Sequence, residues 1–151
     1  MSTAKQLDEF IDRFGFEHFK GSEISSYASR KRGSVKNSLP HESLWSNIIP
    51  TLVIANELRK IVGPITVTSA YPSPAYNAEV GGEPGCYHMM FMALDLIPQD
   101  VSPRTLAAAA KKLRWKKYKI PGTNETFVFK GGIGIYSSFV HIDCRENEAN
   151  W

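Results

Sequence analysis

The sequence predicts an α+β fold, a small antiparallel sheet with helices packed on one side. Three observations carry this. Apolar residues recur at spacings of three and four over residues 3–14 and 40–62, the signature of amphipathic helices. β-Branched or alternating stretches stand at 65–68, 92–97, 126–129, 133–136 and 139–144, which read as short strands. The last of these strands follow one another too closely for the dozen or more residues that a parallel crossover requires.

The elements are justified in chain order. Leu7, Phe10, Ile11 and Phe14 form one helical stripe that Gly15 stops, and Phe16 and Phe19 are expected to tuck this arm onto the body. Residues 22–40 are polar and turn-rich around Arg30-Lys31-Arg32, a run that reads either as a solvated loop or as a contact to substrate. From Pro40 to Val62 the stripe Leu44, Ile48, Leu52, Ala55 and Leu58 predicts a helix that Pro50 kinks or splits near 47–49. Gly63-Pro64 ends it, and Ile65-Thr66-Val67-Thr68 is a strand. A Pro- and Gly-rich loop runs on to Gly85. Ser102-Pro103 supplies an N-cap and a first-turn proline for a further helix. The cations Lys111, Lys112, Arg114, Lys116 and Lys117 near its end suit the helix dipole, and that explanation is favoured over nucleic-acid binding.

At 151 residues the chain is expected to form one domain, 1–151, with 1–40 as an N-terminal helix and basic loop packed on the body. A net charge of +3 fits attraction to an anionic polymer without requiring one. Asp8, Glu9, Asp12, Arg13 and Glu17 interrupt the first twenty residues, so no signal peptide and no membrane insertion are expected. Synthesis in a cytoplasm is the expectation. Two cysteines, Cys86 and Cys144, do not make a disulfide framework and read as reduced thiols.

The chemistry concentrates in Cys86-Tyr87-His88-Met89-Met90-Phe91-Met92-Ala93-Leu94-Asp95 and in Phe139-Val140-His141-Ile142-Asp143. Alternation puts Asp95 on a strand with an apolar back, and His88 in the turn that feeds it. Phe139, His141 and Asp143 share one face of the second strand. Two imidazoles and one carboxylate meeting on a sheet form a recurring catalytic zinc set with a position left for water. His88, Asp95 and His141 are therefore the candidate Zn2+ ligands. His18 and His41 have no such setting and read as structural or exposed.

The pattern His-x6-Asp followed by His-x-Asp resembles the zinc D-Ala-D-Ala peptidases and murein endopeptidases, which share a fold with the hedgehog domain and the lysostaphin-type peptidases. Ser69-Ala70-Tyr71-Pro72-Ser73-Pro74-Ala75-Tyr76-Asn77 resembles that family's "SGYRSPAYN" segment, with Val80-Gly81-Gly82 after it. Gly131-Gly132-Ile133-Gly134-Ile135-Tyr136 leading into the second histidine, and Trp151, resemble the murein endopeptidase branch. The likeness covers about residues 65–151. It implies a zinc metallopeptidase acting on peptidoglycan peptides as a monomer, endolysin-like, reaching the wall by a route such as a phage lysis system or release with a virion.

Three departures matter. The family's catalytic acid, three residues before the second histidine, is Ser138 here, which leaves Asp143 either as the general base or as the group that orients His141. The arginine associated with binding a substrate carboxylate is Pro72, which favours an endopeptidase over a carboxypeptidase. Phe91 and Cys86 stand where many members have glycine and serine, and imply a bulkier, more apolar mouth. Candidate substrate-binding residues are Ser69 and Tyr71 in the family-like segment, Tyr87 beside His88, and Arg145, which with Arg104 is a candidate to replace the missing arginine. The alternative is a zinc-containing wall-binding or virion-associated domain without hydrolytic activity.

Overall fold

The computed structural model describes residues 3–82 and 86–151. Helix α1 (Ala4–Asp12) opens on a reciprocal cap: the Thr3 hydroxyl accepts from the Gln6 N–H, and the Gln6 side chain accepts from the Thr3 N–H. Its stripe buries Leu7 and Ile11 in the main core. Residues 22–40 differ from the expected loop. They form a short helix α2 (Ser22–Ser25), a 3-10 turn (Ser26–Ser29) and a hairpin of β1 (Lys31–Arg32) and β2 (Val35–Lys36). Arg59 fastens this arm: its guanidinium grips the Glu23 carboxylate through both terminal nitrogens (3.0 and 2.6 Å), donates to the carbonyls of His18 and Ile65, and stacks on Phe19.

Pro50 does split the central helix. A 3-10 segment (Glu42–Ile48) gives way to α3 (Ile49–Val62), with the proline in the first turn, where a missing N–H leaves no bond unmade. Strand β3 (Ile65–Ser69) comes next, then α4 (Pro74–Glu79) inside the stretch expected to be loop, capped by Ser73. After it come β4 (Ala93–Pro98) and α5 (Pro103–Leu113), whose N-cap is Ser102 as the sequence indicates. A hairpin of β5 (Lys117–Lys119) and β6 (Thr126–Val128) leads to β7 (Gly132–Ile135), β8 (Val140–Asp143) and β9 (Ala149–Asn150).

The main sheet has five strands in the order β3-β4-β8-β7-β9. It is antiparallel except for the β7–β9 pair, which is parallel. Leu94, Leu96, Ile133, Val140 and Ile142 bury their side chains in one core with Leu52, Leu58, Leu106 and Ala110 of α3 and α5. Each such aliphatic side chain contributes about 1.5–3 kcal/mol by leaving water. The register then does the positioning: Ser69 pairs with Asp95, Asp95 with His141, and His141 with Gly134, one row across four strands.

Candidate metal centre

His88, Asp95 and His141 converge on one point. Asp95 and His141 are register partners on β4 and β8, and His88 enters from the turn before β4. His88 Nε2 and His141 Nδ1 stand 3.1 and 3.2 Å from the same oxygen, Asp95 Oδ1. One ligand atom from each of the three residues lies within 4.8 Å of the others. Ligand atoms about 2.0–2.1 Å from a tetrahedral ion stand about 3.3 Å apart, so the spacing fits a zinc-sized cation.

Hydrogen bonding decides what the facing atoms are. His88 Nδ1 lies 2.9 Å from the Ala70 carbonyl, an acceptor only, so that nitrogen carries a proton. His141 Nε2 lies 2.7 Å from Asp143 Oδ2, so its proton is there. With both rings neutral, His88 Nε2 and His141 Nδ1 each aim a lone pair at a carboxylate oxygen. Three acceptors facing one another repel unless something positive sits among them. Protonating both rings would place two imidazolium ions with centroids 4.9 Å apart, and although Asp143 and Asp95 raise the His141 pKa against burial, protonating that ring alone still leaves the His88 lone pair facing Asp95. The donor set therefore fits a divalent metal.

Asp143 has no exposure to solvent. Its Oδ1 accepts from the Gly132 N–H (3.0 Å), the Arg145 N–H (3.1 Å) and Arg145 Nε (2.8 Å), and its Oδ2 accepts from His141 and from Arg145 Nη2 (2.7 Å). Burial disfavours its charge, yet Arg145 and His141 more than compensate, and the carboxyl is held far below the usual carboxylate range. The Arg145 guanidinium itself lies between the rings of Tyr87 (4.3 Å) and Trp151 (5.0 Å). His141 is thus oriented by a buried carboxylate that is oriented in turn by an aromatic-clamped arginine.

A cleft of about 390 Å³ opens over His88 and His141. Ser69, Tyr87 and Arg145, three of the four candidate substrate-binding residues, line it, together with Pro72, Cys86, His88 and His141. Tyr71 does not reach it. The chain bends at Ala70 after β3 ends, and the Tyr71 ring turns inward, edge-on to Phe91 at 6.2 Å. Phe91 is not at the mouth either: it is 1% exposed, in the core, at φ 56, a left-handed backbone that disfavours any side chain. Arg104 lies on α5 away from the cleft lining. Sequence reasoning missed Tyr27, Asn77, Tyr136 and Trp151, which complete the walls. Of these Asn77, Tyr136 and Trp151 gave a signal, each as part of a motif match without a role. Ser138 is exposed, and the Glu79–Glu83 loop, a further source considered for a base, runs into Glu83, which lies outside the described residues. Both cysteines are free, and burial pushes the Cys144 thiol up to about 12.

Residues 17–143 match the family model for Peptidase M15, and the chain belongs to that family. The match reaches further toward the N-terminus than the motifs do, taking in the basic hairpin and α3. No curated protein matches the chain. Membership points to a peptidase, of a kind that is generally zinc-dependent, and hence to peptide substrates. No helix among the described residues is long and apolar enough to cross a membrane.

Proposed function

We propose that this protein is a zinc-dependent endopeptidase that cuts peptide bonds in peptidoglycan stems or crosslinks. The observation that carries the metal reading is the pair of imidazoles whose far nitrogens are committed to Ala70 and Asp143, leaving two lone pairs aimed at Asp95 beneath a cleft. His88, Asp95 and His141 would hold the ion. Bound there, zinc lowers the pKa of a water toward 7 and polarises a scissile carbonyl.

The chain's own residues hold the frame for that chemistry. Asp143 keeps the His141 proton on Nε2, which presents Nδ1 as the ligand atom. Its five accepted hydrogen bonds leave it no capacity to take a proton in turnover, which supports a positioning role over a basic one. The aromatic walls and the Trp151 ring, 5.1 Å from His141, shield the ligand's outer face from water. Pro72 lines the cleft where a carboxylate-binding arginine would suit a carboxypeptidase, so a chain running through the cleft is the better fit.

A second reading rests on one specific observation. Among the described residues lining the cleft none carries a carboxylate free to serve as general base, which favours a zinc-containing wall binder without turnover. One experiment separates the two. Purified protein loaded with zinc is incubated with murein sacculi, with and without chelator, and the released fragments are analysed. Chelator-sensitive release of uncrosslinked muropeptides supports the endopeptidase. Release of D-alanine alone would make it a carboxypeptidase, and retention on sacculi without any release would make it a binder.

A further inference from the structure

The only guanidinium among the described residues lining the cleft, Arg145, is consumed by Asp143. A second one stands immediately beside the cleft. Arg30 leads into the β1–β2 hairpin and stacks at 4.5 Å on the ring of Tyr27, which lines the cleft. Its Nη1 donates to the Thr68 carbonyl at 3.1 Å, one residue before Ser69, a cleft residue and the register partner of Asp95. At about 3.3 Å per strand residue, this tether fixes the guanidinium near the metal ligands rather than out on the hairpin tip.

An exposed arginine is ordinarily a solvated, mobile charge. Arg30 is held at two points and has no acidic partner among the described residues. Both of its contacts are neutral, and its remaining N–H groups have no protein partner among the described residues; the Glu79 carboxylate lies against Gly33 on the same hairpin without pairing with Arg30. Lys31, Arg32 and Lys36 on the same hairpin are exposed as well and add potential of the same sign. A planar donor already immobilised loses little further freedom on binding, and its fork matches a carboxylate.

We infer that Arg30, carried on the basic hairpin, is a specificity-determining anchor for a substrate carboxylate flanking the scissile bond. The inference rests on the peptidase reading for the word substrate, but its binding arm does not. A flanking carboxylate has two sources, a free C-terminus or an acidic side chain, and both present the same anion to the guanidinium.

The test measures dissociation constants of the zinc-loaded protein and of Arg30→Gln and Arg30→Lys for three short peptides. One has a free C-terminal carboxylate. The second has a C-terminal amide and an internal Glu, and the third an amide and an internal Gln. The wild type is expected to bind at least one carboxylate peptide about 10–100-fold more tightly than the neutral one, the size of one charge-assisted bond pair. Arg30→Gln should abolish that preference at unchanged melting temperature, and Arg30→Lys should retain only part of it. Which peptide loses affinity identifies the source of the anion. A wild type that binds no peptide, or all three alike, overturns the inference, as does an Arg30→Gln variant that keeps the preference. Cleavage is scored separately: no hydrolysis of any peptide or of sacculi, with an Arg30-dependent preference intact, sinks the peptidase reading and leaves the anion site standing.

Discussion

Replacing Asp143 with asparagine removes one charge without changing shape, and the hydrogen bonds around the carboxylate determine the cost. Oδ1 faces three N–H donors and Oδ2 faces two, so either orientation of the amide turns an NH2 group toward donors. The Arg145 guanidinium also loses its anion in a partly buried setting, with its side chain 17% exposed. Breaking a buried ion pair by removing one partner costs about 3–5 kcal/mol. Misorienting the group behind a metal-bound histidine costs about 10–100-fold in metal affinity. Asp143→Asn should therefore melt well below the wild type and bind zinc about 10–100-fold more weakly, with activity restored in part by saturating zinc. Thermal unfolding, zinc titration against a competing chelator, and murein cleavage on the same preparation provide the readouts. A variant that keeps wild-type stability and zinc affinity yet loses about 10²–10⁴ in rate would refute this reasoning and make Asp143 the general base.

Three further outcomes are expected. Chelation should lower the melting temperature of the wild type, since metal at a hundred times its dissociation constant contributes about 2.7 kcal/mol, and His141→Ala should show no chelator-dependent shift. Gly134→Ala would set a methyl 2.5 Å from the Trp151 ring, so the ring must leave His141 and Arg145; a cost of about 1–3 kcal/mol and altered tryptophan fluorescence should report it. Burial opposes the Glu23 charge, but Arg59 outweighs it and holds the carboxyl below its ordinary value. A depressed folded pKa stabilises above the unfolded value of about 4.3, and that stability is lost as pH falls through the folded one. With the side chain 34% exposed, screening limits the effect to below about 1 kcal/mol, seen as a smaller loss of melting temperature in Glu23→Gln between about pH 5 and 3.

The long helices α1, α3 and α5 and the antiparallel strands of the main sheet were legible because their signals are long or chemically specific, whereas α2 and α4, of four and six residues, were not. Fourteen residues of α3 and eleven of α5 leave room for a stripe and a cap to repeat their message, and Pro50 announces its own break. The β1–β2 hairpin has two residues in each strand, too few for any alternation to register. Nor does composition distinguish it from a basic loop. The parallel β9 is equally short, and its pairing depends on where the chain returns after β8. Tyr71 was misplaced for a different reason. It sits two residues after Ser69, which on a continuing strand would put both on one face, but the register shifts between Val67 and Ser69 and the strand then ends.

The three candidate ligands were legible in sequence because alternation assigns a face to Asp95 and His141 on strands with apolar backs, and His88 falls in the turn that feeds the first of them. Asp143 was legible as a group to orient His141, two residues on along the same strand face, but the room made for it and for the Trp151 ring was not, because that lies across the sheet rather than along it. The glycines before β8 show this. A Cβ at Gly132 would lie 2.7 Å from both Asp143 Oδ2 and Arg145 Nε, and one at Gly134 would enter the Trp151 ring. In the sequence they belong to a motif of unstated purpose. In the structure each is the clearance that lets a supporting group reach His141: Gly132 admits Asp143 with its arginine, and Gly134 admits the indole. The Trp151 Nε1 then donates to the Tyr136 hydroxyl at 2.8 Å, which fixes the ring it has been given room for. A glycine-rich strand is ordinarily a weak one, with no side chains to pack. Here the packing on the glycine face is supplied by residues 143, 145 and 151, so the absence of side chains at Gly132 and Gly134 is what allows His141 to be held from behind and from one side.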